Sequence, residues 1–89
     1  IGESEMREWK IVCKEHRDGV MLILREEKVV LVTLTGRNLS ECRKKCMEKI
    51  NLILKILETV EDKEKLQYKI CNKYFQYIID AIDENKVKF

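Results

Sequence analysis

The stretch from Val29 to Val60 constrains the fold most, because it joins a strand pattern directly to a helix pattern. The residues from Val29 to Thr35 are apolar or β-branched, which is typical of a buried β-strand. After Gly36-Arg37-Asn38, apolar residues recur every three or four positions from Leu39 to Val60, and this spacing predicts an amphipathic helix. A strand that runs straight into a helix predicts a domain in which a helix packs on a sheet.

Two further strands are predicted before this stretch. Trp9 to Lys14 alternates apolar with charged or small residues, as an edge strand with one buried face does, and Val20 to Leu24 is apolar throughout. The dipeptide Asp18-Gly19 and the polar run Arg25 to Lys28 supply the hairpin turns. Because the later strands are apolar on both faces, the face not covered by the first helix is expected to need a second layer. That layer is expected from a second helix or from another chain.

Two helices are predicted after the sheet. Asn38 followed by Glu41 matches an N-terminal capping box, so the first helix is expected from Leu39 to about Thr59. Asp62 is a second N-cap candidate, and the helical pattern then continues to Glu84. One kinked helix is the alternative, but a monomeric chain of 89 residues is too short to bury a helix of that length. An antiparallel pair of helices is therefore favoured.

The expected fold class is α+β, a three-stranded antiparallel β-meander followed by two long helices (β-β-β-α-α). Residues 1–89 are expected to form a single domain, with residues 1–6 as a flexible lead-in and residues 86–89 as a short tail. The composition, 45% hydrophobic and 38% charged residues, is that of a globular protein and not of a disordered one.

Charge and hydropathy limit the partners. A net charge of +2 is too small to imply a polyanionic partner by itself, because nonspecific nucleic-acid binding needs many phosphate-neutralising side chains. No apolar run approaches the roughly 20 residues of a membrane helix, and the first residues lack a basic-then-apolar signal pattern. We therefore expect a soluble, cytoplasmic protein without membrane insertion, and nucleic acid is not its favoured partner.

The four cysteines, Cys13, Cys42, Cys46 and Cys71, are expected to be reduced. Cys13 falls on the apolar face of the first strand, and Cys42 and Cys46 fall on the apolar stripe of the first helix, where a small hydrophobe fits. A zinc site or a redox pair is the alternative, although the short C-x-x-C spacing of recognisable zinc sites is missing. No metal ligand and no cofactor is assigned.

The order of predicted elements from Trp9 to Leu57 resembles the second half of the roadblock/dynein-light-chain (longin-like) domain. In that family the last strand ends in a Leu-Thr-like step, and an Asn-Leu pair with an arginine nearby opens the closing helix. Leu34-Thr35, Asn38-Leu39 and Arg43 stand at the matching places. The helix, hairpin and helix that precede these strands in the family are not in this sequence, and the predicted second helix is an addition.

The resemblance implies a non-enzymatic interaction and dimerisation module, a scaffold or regulator of small GTPase, motor or trafficking complexes. Its partner is then a second copy of the chain, as a homodimer, or a related subunit. The family's dimer contact falls on the first strand, so the implied interface residues are Lys10, Val12 and Lys14. The wide apolar arc of the second helix adds aromatic interface candidates, namely Tyr68, Tyr74, Phe75 and Tyr77.

Two features of the sequence are candidates for sites of chemistry. His16, the single histidine, lies in a predicted turn beside Asp18 with no nucleophile motif, which is typical of a solvated turn residue. Thr35 to Asn38 places backbone amides where an anion binds a helix start, but the glycine spacing of a phosphate-binding loop is missing. The sequence therefore favours an ordinary strand-to-helix turn and predicts no enzyme.

A basic cluster surrounds the start of the first helix, where positive charge opposes the helix dipole. Its members are Arg37, Arg43, Lys44, Lys45 and Lys49. This cluster suggests an acidic protein partner. Together with the aromatic residues of the second helix, it also leaves a small nucleic-acid-binding domain as an alternative function, with a cysteine-based metal or redox site as a further alternative.

Overall fold

The computed structural model describes residues 8–89, so the predicted flexible lead-in, residues 1–6, lies outside the described range. The described residues form three strands followed by two helices: β1 (Trp9–His16), β2 (Gly19–Glu26), β3 (Val29–Gly36), α1 (Leu39–Leu57) and α2 (Asp62–Asp83). This order confirms the α+β class, the β-β-β-α-α arrangement and the presence of two helices where one kinked helix was the alternative.

The sheet is a meander in the order β1-β2-β3, and both neighbouring pairs are antiparallel. β1 pairs with β2 along its whole length. The turn predicted at Asp18-Gly19 is displaced by one residue, because Gly19 already pairs with His16 and the turn residues are Arg17 and Asp18. Both strands are therefore longer than the alternation of their apolar residues indicates.

A β-bulge interrupts the pairing of β2 with β3. The register shifts between Leu24 and Arg25, which pair with Val32 and Val30 respectively. The extra residue, Leu31, packs against the core together with Val32. The bulge thus turns two consecutive apolar residues of β3 toward the same face of the sheet.

One face of the sheet carries the core, and both helices pack on that face. The buried cluster draws on β1, β2 and both helices, and its members are Ile11, Cys13, Leu22, Leu24, Cys42, Cys46, Ile50, Ile78, Ile79 and Ala81. Because the turn between α1 and α2 is short, the helices lie side by side in one layer. Helix α2 therefore does not supply the second layer that the doubly apolar strands led us to expect. No described element covers the opposite face of the sheet.

The start of α1 confirms the predicted N-cap and changes one detail of it. The Asn38 side chain accepts a hydrogen bond from the Glu41 amide at 2.9 Å. The Glu41 carboxylate in turn accepts from the amide of Arg37 at 3.0 Å, one residue before the position that a capping box uses. At α2 the predicted N-cap, Asp62, is already helical, and Glu61 is the N-cap without a side-chain bond.

The chain after α2 returns to the free edge of β1. Asn85 adopts a φ of 59°, and the Lys86 amide donates to the carbonyl of Ala81 at 2.8 Å. Lys88 then forms a parallel bridge with Val12 of β1. We call the segment Val87–Phe89 the strap, because it lies along the outer side of this strand.

Candidate interaction surface

The face of the sheet opposite the helices is the candidate functional surface, and we call it the open face. Strand alternation and the observed register place its members on one side. They are Lys10, Val12, Lys14 and His16 of β1, Met21, Ile23 and Arg25 of β2, and Val30, Thr33 and Thr35 of β3.

The middle of the open face is apolar. Val12 and Ile23 are direct cross-strand neighbours, and both are half-buried, as is Met21 beside them. Val30 extends this strip onto β3 and is 52% exposed. The half-buried side chains of β1 and β2 and the exposed Val30 of β3 form one apolar patch, and such patches mark contact sites more often than isolated apolar residues do.

Positive charge borders the apolar strip. Lys10, Lys14 and Arg25 are exposed, and Lys10 lies directly opposite Arg25 in the sheet. Like charges placed directly across two strands are destabilising, so this arrangement has a small cost in the isolated molecule. Among the strand residues that the structure assigns to this face, none carries a carboxylate.

The dimensions of the open face suit one helix. Its three strands lie about 4.8 Å apart, and a strand of eight residues is about 26 Å long. An α-helix with its side chains is about 10–12 Å wide, so one helix of about five turns covers the apolar strip.

The predicted β1 interface residues, Lys10, Val12 and Lys14, all lie together on this open face. The backbone edge of the same strand is in part occupied. The amide of Cys13 donates to the Lys88 carbonyl at 2.6 Å, and the Lys88 amide donates to the Ile11 carbonyl at 3.2 Å. The side chains predicted for contact are thus accessible, whereas the centre of the strand edge is not.

The aromatic residues predicted as interface candidates on α2 lie on the other side of the sheet. Tyr74 and Tyr77 meet the ring of Trp9 edge-on, with ring centroids 5.3 and 5.0 Å away. The Tyr77 hydroxyl donates to the carbonyl of Trp9 at 3.2 Å, although the residue is 39% exposed. Tyr68 and Phe75 are half-buried, and Phe75 packs against the core. The rings of Tyr74 and Tyr77 thus connect α2 to β1 through Trp9.

The basic cluster around α1 is divided between different sides of the helix. Arg43 reaches Asp83 on α2, with Nε 2.7 Å from Oδ1, and Lys45 reaches the carbonyl of Thr35 on β3 at 2.7 Å. The hydrogen bond from Arg43 holds the pKa of Asp83 below its usual value. Lys44 and Lys49 are exposed on the helix. The cluster therefore does not form one basic surface with the tyrosines.

Arg37 lines an open cavity of about 640 Å³ between the first hairpin turn and the start of α1. His16, Arg17 and Glu41 are also on its wall. Two of the backbone amides at this helix start are engaged, because Glu41 accepts from the Arg37 amide and Asn38 accepts from the Glu41 amide. The arrangement is that of an ordinary, self-capped strand-to-helix turn.

Three of the cysteines are packed in the core. Cys13, Cys42 and Cys46 are buried, Cys71 is exposed on α2, and all four are free thiols. Burial raises the pKa of the Cys46 thiol to about 12. Burial likewise raises the pKa of Cys13 and of Cys42. Neutral buried thiols pack as small hydrophobes, and residues 8–89 bring no three His, Cys, Asp or Glu side chains together as a metal site.

The sequence did not predict Met21, Ile23, Arg25 or Val30 as members of the candidate surface. A signal for Met21 and Ile23 was present, because β2 is apolar at consecutive positions from Val20 to Leu24. Periodicity shows that both faces of such a strand are apolar, but it does not tell which face the helices cover.

Comparisons with protein-family models, with curated proteins and with solved structures gave no significant match. The resemblance to the roadblock/dynein-light-chain domain therefore stays a prediction. Neither described helix is both long and apolar enough to cross a membrane.

Proposed function

We propose that this protein is a non-enzymatic interaction module whose open face binds an acidic protein partner. The observation that carries the proposal is the half-buried strip of Val12, Met21 and Ile23, bordered by cations and by no carboxylate of the face's own described strand residues. The partner that fits is an amphipathic helix with an apolar stripe and acidic flanks. Such a helix would form a layer on the side of the sheet that no described element covers.

Charge favours an acidic partner over a second copy on this face. Two copies pressed together through their open faces would place Lys10, Lys14 and Arg25 of both chains in one interface. Bringing like charges together is unfavourable in an interface from which water is removed. Acidic side chains of a partner would instead reduce the repulsion between Lys10 and Arg25, which lie opposite each other in the sheet. A homodimer formed through this face is therefore a competing outcome of the test below.

The composition of the open face also separates a protein partner from a nucleic acid. Sheet surfaces that bind single-stranded nucleic acids stack bases on aromatic side chains. The described strand residues of the open face include no Phe, Tyr or Trp, and their one ring is that of His16 at the end of β1. Tyr74 and Tyr77 are engaged with Trp9 behind the sheet. An apolar strip with a charged border is suited to binding the side chains of a protein and not the bases of a nucleic acid.

The test uses a synthetic helical peptide of about five turns with leucines along one face and glutamates on both flanks. Titrating it into the isotope-labelled protein is expected to shift the amide signals of Val12, Met21 and Ile23. A second peptide with lysine in place of every glutamate is expected not to bind. Binding of the acidic peptide is expected to weaken as salt increases, because exposed charges on the border are screened.

Lys10→Glu is the informative variant. It is expected to weaken binding about fivefold, the change that about 1 kcal/mol produces. The same substitution places a carboxylate opposite Arg25, so the free energy of unfolding is expected to stay equal or to rise by a few tenths of a kcal/mol. Lost binding in a fully stable variant excludes unfolding as the cause.

Lys44→Glu is the matched control, because Lys44 is exposed on α1 behind the sheet. It is expected to leave binding unchanged. If Lys44→Glu weakens binding and Lys10→Glu does not, the basic start of α1 is the contact and the proposal is wrong. Binding of an oligothymidine in preference to the peptide would favour the nucleic-acid alternative. Self-association of the parent protein that Ile23→Lys abolishes, by placing a charge in the apolar strip, would show that the open face serves a homodimer.

A further inference from the structure

The outer edge of β1 has backbone groups that point away from the sheet, and this edge is distinct from the open face. Strand β1 is an edge strand, and the peptide groups of Ile11 and Cys13 point away from β2, as their bonds to Lys88 show. Unpaired groups along an edge strand are a template for pairing with another chain. Alternation adds the peptide groups of Glu15 to the same side.

The strap occupies the centre of this edge. Among the described residues, two backbone hydrogen bonds connect it to β1: the Cys13 amide donates to Lys88 at 2.6 Å, and the Lys88 amide donates to Ile11 at 3.2 Å. Val87 packs against the core and anchors the segment from one side. Further along β1, the Trp9 carbonyl accepts from the Tyr77 hydroxyl, which covers one more edge group.

Few contacts hold the strap in place. Phe89 is 73% exposed, and the Lys88 side chain points into solvent. A cavity of about 220 Å³ lies between the strap, β1 and α2, lined in part by Tyr77, Lys86 and Lys88. A segment with few backbone bonds and little buried side chain opens at low free-energy cost compared with the core.

We propose that the strap is a releasable guard of the β1 edge, and that the partner which fits the released edge is β1 of a second copy. Two identical edges pair antiparallel about a two-fold axis, which makes the contact self-complementary. The pairing would engage peptide groups along the strand beyond the two that the strap covers. If the two-fold axis passes through Val12, Lys10 lies opposite Lys14 of the other copy, and these like charges repel each other. Both the strap and this repulsion would therefore disfavour association of the two edges.

Lys88→Pro tests the guard, because proline removes the amide that donates to Ile11. Lys88→Ala is the matched control, since it keeps both backbone bonds and removes the same side chain. In Lys88→Pro the Cys13 amide is expected to exchange with deuterium about tenfold faster than in Lys88→Ala, as expected for loss of one hydrogen bond. Sedimentation is expected to show self-association of Lys88→Pro at concentrations where Lys88→Ala stays monomeric.

A second substitution identifies the surface that associates. Glu15 is exposed at the end of β1 with its amide on the outer side, where proline is tolerated in an edge strand. Adding Glu15→Pro to Lys88→Pro is expected to restore the monomer, because the edge then lacks a further donor.

Two results would overturn the inference. One is a Lys88→Pro variant with fast exchange at Cys13 that remains monomeric, which would show that a released edge does not pair. The other is association that persists in the double variant, which would place the contact elsewhere. A truncation after Asn85 repeats the test without a proline, and circular dichroism compares the fold of all variants with the full chain.

Discussion

Gly19, the first residue of β2, lies against Gly36 at the end of β3 with no space between them for a side chain. A Cβ at Gly19 would meet the carbonyl oxygen of Gly36 and would lie 2.9 Å from the Cα of Arg37. Gly19 also has a φ of 151°, a conformation that residues with a side chain rarely adopt. The first hairpin turn is thus packed directly onto the junction between β3 and α1.

Gly19→Ala is expected to lower the free energy of unfolding by about 2 kcal/mol or more, because backbone strain and a collision with backbone atoms act together. Urea denaturation followed by circular dichroism measures the change. Asp18→Ala is the control in the same turn, and it is expected to stay within about 0.5 kcal/mol of the parent. Equal stability of the two variants would contradict the close contact of Gly19 with Gly36.

Asn72→Leu is expected to stabilise the protein by about 1 kcal/mol. Asn72 is half-buried on α2, and among the described residues its Oδ1 atom is buried without a hydrogen-bond partner. Leucine removes this unpaired acceptor and adds apolar contact. Asn51→Leu, at an exposed position on α1, is the control and is expected to change little. A loss of stability in Asn72→Leu alone would show that the amide makes a favourable bond in solution.

Stability is expected to fall as the pH rises above about 9. Burial raises the pKa of Cys46 from 9.0 to about 12, so between these values the unfolded chain has lost a proton that the folded chain retains. The free energy of unfolding therefore decreases with pH in this window, by up to about 1.3 kcal/mol per pH unit for this thiol. Cys13 and Cys42 act in the same direction.

Cys46→Ala separates this contribution from those of other groups that titrate at high pH. The variant is expected to be less stable below pH 9, because it leaves a cavity in the core, but to lose stability less steeply above it. Denaturant midpoints measured across the range give both slopes. Parallel slopes in the two proteins would show that Cys46 does not carry the effect.

Arg43→Gln is expected to raise the pKa of Asp83 toward its ordinary value of 3.8. Arg43 donates from Nε at 2.7 Å and from Nη2 at 3.1 Å to the two oxygens of this carboxylate. Because the pairing depresses the pKa of Asp83, its contribution is present above the ordinary pKa and is lost as the pH falls through the depressed one. Carbon-detected NMR titration of Asp83 measures the shift, and Lys44→Gln is expected to leave it in place.

Local patterns in the sequence were sufficient for the order and type of the elements. Alternation over Trp9 to Lys14 located β1, and the Asn38 and Glu41 pair located the start of α1. The ends of elements were less predictable, because Gly19 and Asp62 belong to a strand and a helix although their residue types suit a turn and a cap. Such differences of one residue depend on pairing partners and not on local preference.

The candidate surface required tertiary information. The apolar residues Met21 and Ile23 predicted a covered face, but α2 returns beside α1 and leaves that face open. The sequence also did not show that the basic residues around α1 lie on different sides of the helix. Arg43 pairs with Asp83, which comes forty residues later in the chain. The strap could not be predicted from the sequence, because it pairs with β1 through one residue and so shows no strand alternation.

The bridge between Val12 and Lys88 also has a consequence for the order of folding. The two hairpins of the sheet and the pair of helices form from neighbouring segments, whereas this bridge joins positions from opposite ends of the described range. Contacts between distant segments require a large loop to close, and they form late unless the intervening chain is already placed. Docking of α2 on Trp9 through Tyr74 and Tyr77 would shorten that loop, so the bridge is expected to form after it. A newly folded molecule is therefore expected to pass through a period in which the strap does not yet cover the outer edge of its first strand.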